Sequence, residues 1–311
     1  MERKKLVMLH PSEYEHPWDK KYLDIIKKQK GFDKLTNEFY KHSLERVLRI
    51  QYTGSYLKVT EKHFPDVLET LKEACEIINL NPIPELYIER GWGIRGSAVG
   101  TEKPMIIISR RAVDWLEKEE LLGLLAHNAG HIKSTHMLYH DMAKVIPVMS
   151  DLVSLSTLGI GKAIVVGLEA GLLYWYRMSE LTADRAGLLA CQDFETYINY
   201  LMKYAGSPKR HFDKKHDDQI DFDEFIRQAR EFEALDYDSL NKVAKTLTVL
   251  FKTHPWTVFR ASDLLKGVES GEYQKIVDKD SSECLKCSNC GAELKVDDKF
   301  CGECGASTIK R

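Results

Sequence analysis

The sequence predicts an α+β fold in which a small β-sheet lies beside a larger helical layer, with a small metal-binding domain at the C-terminus. Helical periodicity dominates the chain, and three short β-rich segments, ELYIER, GSAVG and PMIIIS, stand together between helical stretches. Five of the seven cysteines lie from residue 284 onward, in C-x-x-C spacing. Few strands beside long helices, with a separate cysteine cluster, are typical of this architecture.

The composition indicates an ordinary globular protein. The chain has 311 residues, 43% of them hydrophobic and 30% charged, which is enough to bury a sizeable core. A net charge of −2 disfavours nucleic acid and anionic lipid as partners. The start, MERKKLVMLHPSEYEHPWD, lacks the long apolar core of a signal peptide. Because clustered cysteines suit metal binding in a reducing compartment, we expect a cytoplasmic protein.

The main domain is predicted over residues 1–277. Its N-terminal part, about 1–85, contains the helical patterns FDKLTNEFYKHSLERVL and FPDVLETLKEACEIINL. Between them, RIQYTGSYLKVT shows strand-like alternation and a glycine turn. The core of the domain, about 86–277, begins with the three strands. A long helical pattern follows them at once, AVDWLEKEELLGLLAHNAGHIKSTHMLYH.

Residues 145–176 form the most apolar stretch of the chain. A charge near the centre of a bilayer costs about 2.5 to 3.5 kcal/mol, which disfavours one membrane-spanning helix here. We therefore expect two buried or interfacial helices, peripheral membrane contact through 145–176 being left open. The prediction depends on three interrupting charges and a glycine hairpin point: Asp151, Lys162, Glu169, Gly159 and Gly161.

Two charged segments separate the remaining elements. Residues 207–240 are strongly charged and predict a solvated loop and a surface helix. Residues 278–283 form a short charged linker, after which residues 284–311 are predicted to make a domain of their own.

The stretch LLAHNAGHIKSTH carries the chemistry of the main domain. His127 and His131 stand four residues apart, so both rings lie on one helix face and can reach one metal ion. A zinc site needs a further ligand, and SELTADRAG offers Glu180 and Asp184, again four apart. Glu180 is a candidate ligand, with Asp184 orienting a histidine. The alternative is that the histidine pair is incidental.

Three motifs in order make the chain resemble the HtpX and CAAX-prenyl-protease family of zinc metallopeptidases. They are LLAHNAGHIKSTH with the run-in EELLGLLAH, then SELTADRAG, then THPW with Arg260 shortly after. GSAVG before PMIIISRRAVDWL resembles the family's edge strand. LHPSEYEHPWD and RIQYTG resemble a soluble bacterial branch that carries a C-terminal zinc ribbon.

The resemblance implies roles for particular residues. His127, His131 and Glu180 would bind zinc, and Asp184 would support the site. His254 and Arg260 would lie near the substrate or the third-ligand helix, as candidate catalytic residues. The backbone of an edge strand would pair with an extended peptide or unfolded segment as an added strand. That strand contains Ser97, Ala98 and Val99, although Arg95 and Gly96 depart from the family's pattern.

Asn128 stands where the family has its general-base glutamate, so the HExxH motif reads His-Asn-Ala-Gly-His. An amide leaves the zinc ligands intact but is not basic at neutral pH, so we expect a zinc-binding pseudo-peptidase or a strongly impaired peptidase. The alternatives are an active zinc endopeptidase and a scaffold with zinc in the ribbon alone. The predicted helix continues to His136 and His140, which we expect to turn off the ligand face as surface or core histidines.

The C-terminal segment KCSNCGAELKVDDKFCGECG contains two C-x-x-C-G turns separated by ten residues. Four thiolates presented by two such turns form a closed tetrahedral zinc site. The glycines after each second cysteine set the register, leaving Cys284 unligated. The ribbon's default role is structural, and its balanced charges favour a protein contact over nucleic acid. Its predicted ligands are Cys287, Cys290, Cys301 and Cys304.

Overall fold

The computed structural model describes most of the chain, and its elements follow the predicted α+β order. The described residues are 3–29, 32, 36, 44–143, 160–206, 221–234, 254–279, 285–286, 290, 293–294 and 300–307. The strands are β1 Leu57–Lys58, β2 Glu85–Glu89, β3 Gly96–Val99, β4 Met105–Ser109, β5 Leu285–Lys286 and β6 Glu293–Leu294. The helices are α1 Pro11–Tyr14, α2 Pro17–Lys27, α3 Leu44–Ser55, α4 Pro65–Ile77, α5 Arg110–Trp115, α6 Lys118–Lys133, α7 Ile160–Cys191, α8 Phe194–Ala205, α9 Phe222–Ala234, α10 Thr257–Glu269 and α11 Glu272–Val277.

The main sheet has four strands in the order β1-β2-β4-β3. β2 and β4 are parallel, whereas β3 is antiparallel to β4, with Ala98 opposite Ile106. The three predicted strands are confirmed. The strand predicted over RIQYTGSYLKVT is wrong for its first half, because α3 continues through Gly54 to Ser55 and β1 keeps only two residues. The alternation of apolar and polar residues in that half belongs to the end of an amphipathic helix. β3 is left at one edge of the sheet.

Helices α6 and α7 form the centre of the molecule. A capping box begins α6, since Glu117 and Glu120 each bond the other's backbone N–H. Every residue from Glu120 to His131 is buried, so α6 is enclosed on all sides. Gly130 allows the close approach, because a Cβ there would lie 2.5 Å from the Cβ of Ala186 on α7. This crossing positions the histidines of α6 opposite the carboxylates of α7.

The single long helix predicted over residues 112–140 is wrong. α5 ends at Trp115, where the C-cap Leu116 takes an extended backbone, and α6 ends at Lys133. Thr135 then adopts a φ of +57°, which turns the chain before a further helical stretch, residues 137–143. Apolar periodicity continues across both breaks, so the pattern alone did not reveal them. The second turn has consequences for the histidines that follow it.

α7 is one helix of 32 residues that continues through Gly161 and carries both Glu180 and Asp184. Gly161 therefore lies in its first turn and not at a hairpin, whereas Gly159 falls outside the described residues. The first of the two predicted apolar helices, with Asp151, falls outside the described residues. No helix in the described ranges combines the length and apolar character that a bilayer crossing requires.

The charged segments agree with the prediction where they are described. α9 is amphipathic and packs against α10, as expected of a surface helix. Residues 207–220 and 235–253 lie outside the described residues. The boundaries at 277 and 283 stay predictions, although β5 and β6 pair in a separate two-stranded sheet beyond them.

Candidate metal centre

Two histidines of α6 and one carboxylate of α7 converge in the core. His127 Nε2 lies 3.5 Å from Glu180 Oε2, and His131 Nε2 lies 3.3 Å from Glu180 Oε1. All three residues are buried, each 5% exposed or less. Their ligand atoms lie within 4.8 Å of one another, in the arrangement that the sequence predicted.

The donor set fits a zinc ion. Glu180 Oε2 is buried and has no hydrogen-bond partner among the described residues. Two ligands about 2.0 to 2.2 Å from a tetrahedral zinc stand about 3.4 Å apart, which is close to the distances between Glu180 and each ring. Two imidazoles and one glutamate also form a known catalytic zinc set. A buried carboxylate oxygen that lacks a hydrogen-bond donor, at that spacing from two imidazoles, is typical of a metal ligand.

Asp184 fixes the orientation of His127. Its Oδ1 lies 3.0 Å from His127 Nδ1 and also accepts a hydrogen bond from the hydroxyl of Tyr197 at 2.9 Å. Burial alone would raise the pKa of Asp184, but the Arg260 guanidinium outweighs it and lowers that pKa to about 2. The carboxylate therefore stays ionised and holds the Nδ1–H of His127, leaving Nε2 aimed at Glu180.

The charges of the cluster favour metal binding. Burial would raise the pKa of Glu180, but the neighbouring histidines hold it well below its ordinary value, His254 having the largest effect. Burial also lowers the pKa of His131 to about 4, so this ring is neutral and carries a lone pair at neutral pH. An ionised carboxylate beside a neutral imidazole is the protonation state a cation requires.

The two residues predicted after α7 occupy different places. His254 Nε2 lies 3.6 Å from Glu180 Oε2, and its side chain is 37% exposed, so it stands at the mouth of the site. Arg260 is 1% exposed and bonds Asp184 through Nε at 2.7 Å. Arg260 thus lies against the third-ligand helix, one of its two predicted places, with its guanidinium facing Asp184, and its catalytic role stays a prediction.

Asn128 lies on α6 between the two histidines and is 1% exposed. Its Nδ2 donates a hydrogen bond to the carbonyl oxygen of Leu124 at 2.8 Å. A Cβ at Gly96 would lie 2.3 Å from that nitrogen, so the glycine on β3 makes room for the amide. The departure at Gly96 and the departure at Asn128 are therefore in contact.

A cavity of about 470 Å³ opens beside the cluster. β3 contributes Gly96 and Ser97 to its wall, while Ala98 and Val99 are buried. The aromatic residues of the cavity wall were not predicted from the sequence. One signal was available, because Tyr176 stands four positions before Glu180 and so shares a helix face with it. The cavity is lined by Tyr52, Tyr56, Glu89, Arg95, Gly96, Ser97, Ile107, Tyr176, Tyr204 and His254.

The C-terminal cysteines also cluster. Sγ atoms of Cys290 and Cys301 lie 3.6 Å apart, and Cys304 completes a group within 4.8 Å. The turn after Cys301 is tight, since Gly305 donates to the Cys301 carbonyl at 2.8 Å with a φ of +68°. Cys287 and Cys284 fall outside the described residues, so the fourth ligand stays a prediction.

Comparison with known proteins decides the ancestry of this site. The model of peptidase family M48 matches residues 96–268, which include β3, α6, α7 and α10. The chain belongs to peptidase family M48. A zinc-ribbon domain model matches residues 286–308 of this M48 protein. The family resemblance and the α+β fold with a ribbon are thereby confirmed.

One curated relative of this M48 protein is the plastoglobule-localized metallopeptidase 48, chloroplastic, of Arabidopsis thaliana. It is 27% identical over 271 residues, covering 86% of this chain and 76% of the relative. The similarity therefore begins well before residue 96, where the family match begins. The search of solved structures gave no significant match.

Proposed function

We propose that this M48 protein is a zinc-binding pseudo-peptidase, or at most a strongly impaired peptidase, that captures extended peptides. The observation that carries the proposal is Asn128, an amide at the position of the general base, held to the Leu124 carbonyl. The ligands on either side of it, His127 and His131, keep their geometry with Glu180. Metal binding and proton transfer are thus separated in this chain.

Zinc held by these three residues would acidify a bound water and polarise a peptide carbonyl. The protein must then move a proton from that water to the leaving amine, and this step needs a basic side chain. The Asn128 amide has no basic lone pair at neutral pH, and its nitrogen already donates to a backbone carbonyl. General acid–base assistance is worth roughly 10² to 10⁴-fold, so its loss leaves little hydrolysis.

No carboxylate in the described wall of the cavity obviously replaces the lost base. Among the described lining residues, Glu89 is the carboxylate, and its Oε1 is held 2.9 Å from Arg95 Nη2. Glu180 is assigned to the metal. This supports the impaired reading over an active endopeptidase.

The edge strand supports peptide capture. β3 pairs with β4 on one side and lies at the end of the four-stranded sheet, with Ser97 facing the cavity. An extended peptide or unfolded segment can add to such an edge through backbone hydrogen bonds. The stacked rings of Tyr52 and Tyr56, 5.8 Å apart, offer apolar contact opposite. We assign the backbone of Ser97, Ala98 and Val99 to the pairing with the peptide. For the zinc ribbon we propose a contact with a protein partner.

Restoring the glutamate tests the proposal. Cleavage of a fluorescent-labelled casein is measured for the wild type, for Asn128→Glu and for Asn128→Gln, each with and without a chelator. The Gln variant matches the size of the Glu variant and lacks its base. We expect chelator-sensitive cleavage in the Glu variant alone. Wild-type cleavage as fast as that of the Glu variant, and stopped by the chelator, would show an active peptidase.

A further inference from the structure

The second zinc histidine has a buried partner, His136, at the end of the LLAHNAGHIKSTH segment. His131 Nδ1 lies 2.9 Å from His136 Nδ1, and His136 Nε2 lies 3.0 Å from Asp19 Oδ2. His136 and Asp19 are 2% and 1% exposed. The turn at Thr135 makes this contact, because it ends α6 and returns the chain toward the ring of His131. His136 is thus a core histidine, as one of the two predicted alternatives had it, and it contacts the ring of a predicted zinc ligand.

If His131 binds zinc, the hydrogen bonds from His131 through His136 to Asp19 have one consistent arrangement of protons. His131 Nε2 faces Glu180 and must present a lone pair, so its Nδ1 carries the proton. That proton is donated to His136 Nδ1, which leaves the second proton of the His136 ring on Nε2. His136 Nε2 then donates to Asp19 Oδ2. Each nitrogen has one role, and the chain ends on an ionised carboxylate.

We propose that Asp19 and His136 are positioning residues that fix the tautomer and ring orientation of His131 for zinc. The inference rests on the proposed zinc site and adds two residues to it. Each zinc histidine then has its own support: Asp184 for His127, and the Asp19–His136 pair for His131. Such outer partners typically change metal affinity 10 to 100-fold when removed.

Asp19 belongs to the opening motif LHPSEYEHPWD, which lies outside the residues that the M48 model matches. Its carboxylate is held rigidly, since Oδ1 accepts from Trp175 Nε1 at 2.7 Å and Oδ2 accepts from Thr182 Oγ1 at 2.6 Å. Both donors lie on α7, the helix of Glu180. The N-terminal segment is also tied to the end of α6 by the 3.0 Å hydrogen bond between Tyr14 and Ser134. Through Asp19, the motif thus supports His131 of the metal site although the two are distant in sequence.

A separate metal ion is the competing explanation for these histidines. Ring nitrogens of His131, His136 and His140 lie within 4.8 Å of one another. His140 Nε2, however, lies 2.8 Å from Ser179 Oγ, whose proton goes to the Tyr176 carbonyl. His140 therefore donates to Ser179, and a second ion would have to share His131 with the first. The hydrogen bonds from His131 through His136 to Asp19 account for the facing ring nitrogens of the two histidines without a second metal ion.

The test measures metal binding by the full-length protein. Cobalt is the probe, because thiolate ligands give a charge-transfer band that reports the ribbon, while nitrogen and oxygen ligands give weaker visible bands. Zinc competition against cobalt gives the affinity at the histidine site. The variants are His136→Phe, which removes the acceptor, His136→Asn, whose amide oxygen replaces Nδ1, and Asp19→Asn. His140→Phe is the matched buried control.

We expect His136→Phe to lose 10 to 100-fold in affinity and to shift the visible bands, with the ribbon band unchanged. His136→Asn should recover most of the loss, Asp19→Asn should lose less, and His140→Phe should bind as the wild type does. If His136→Phe does not fold, His136→Asn, Asp19→Asn and His140→Phe still test the proposal. Wild-type affinity in all variants overturns the proposal, and so does a third ion lost in both His136 and His140 variants. If His127→Ala removes no ion, the zinc site itself fails instead.

Discussion

The guanidinium of Arg260 holds the carboxylate of Asp184 through two hydrogen bonds, from Nε to Oδ2 at 2.7 Å and from Nη2 to Oδ1. Both side chains are 1% exposed. The ion pair joins α10 to α7, and Asp184 extends it to His127 on α6. Three helices and one predicted metal ligand therefore depend on a single buried charge pair.

Arg260→Met should cost about 3 to 5 kcal/mol of unfolding free energy, because it leaves a buried carboxylate without its cation. Urea unfolding in excess chelator measures this cost without a contribution from zinc. Arg227→Met is the control: Arg227 pairs with Glu224 and Glu231 on the surface of α9, where solvent screens the charges, so its loss should change the unfolding free energy far less. Equal effects for the two variants would contradict a structural role for the buried pair.

Acid should remove the same stabilisation. The pKa of Asp184 is lowered to about 2, against about 3.9 in the unfolded chain. A depressed pKa gives stability that is fully present above about pH 4 and is lost as pH falls toward 2, about 2 to 3 kcal/mol in all. Urea midpoints of chelator-treated wild type and Arg260→Met should therefore converge as pH falls through this window. A gap that stays constant down to pH 2 would contradict the assignment.

The histidine site could be predicted because its geometry is written in short spacings. Residues four apart on a helix share a face, which holds for His127 with His131 and for Glu180 with Asp184. The structure brings these two pairs together as expected. What joins α6 to α7 is Gly130 against Ala186, a small-residue contact that the sequence indicates only as a glycine before the second histidine.

The supporting residues could not be predicted because they depend on contacts distant in sequence. Asp19 and His131 are separated by more than a hundred positions, and their link depends on one residue, Thr135, in a left-handed conformation. Threonine is β-branched and rarely adopts that conformation, so its type gave no signal. The sequence left Arg260 near either the substrate or the third-ligand helix, because its partner Asp184 is known only once α10 packs against α7.

Counting metal ions should separate the two zinc sites. We expect two ions per wild-type chain, one after His127→Ala or Glu180→Ala, and one after Cys301→Ser, since each change removes a ligand from a different group. Elemental analysis of dialysed protein gives the count, and the double variant His127→Ala with Cys301→Ser should hold none. A wild-type count of one, unchanged by His127→Ala, would leave the ribbon as the sole site.

Gly130→Ala should weaken zinc binding although residue 130 is not a ligand. A Cβ at this position would lie 2.5 Å from Ala186 Cβ and 3.6 Å from Ala183 Cα, so α6 and α7 must move apart. Overpacking of this kind costs about 1 to 3 kcal/mol, and the shift separates His127 and His131 from Glu180. Gly167→Ala is the control, because no described atom beyond the adjoining backbone of α7 lies within 4 Å of a Cβ there, and it should stabilise the helix by about 0.5 to 1 kcal/mol. Zinc competition and thermal unfolding compare the two. If both variants bind zinc as the wild type does, the close helix crossing is not what sets the spacing of the ligands.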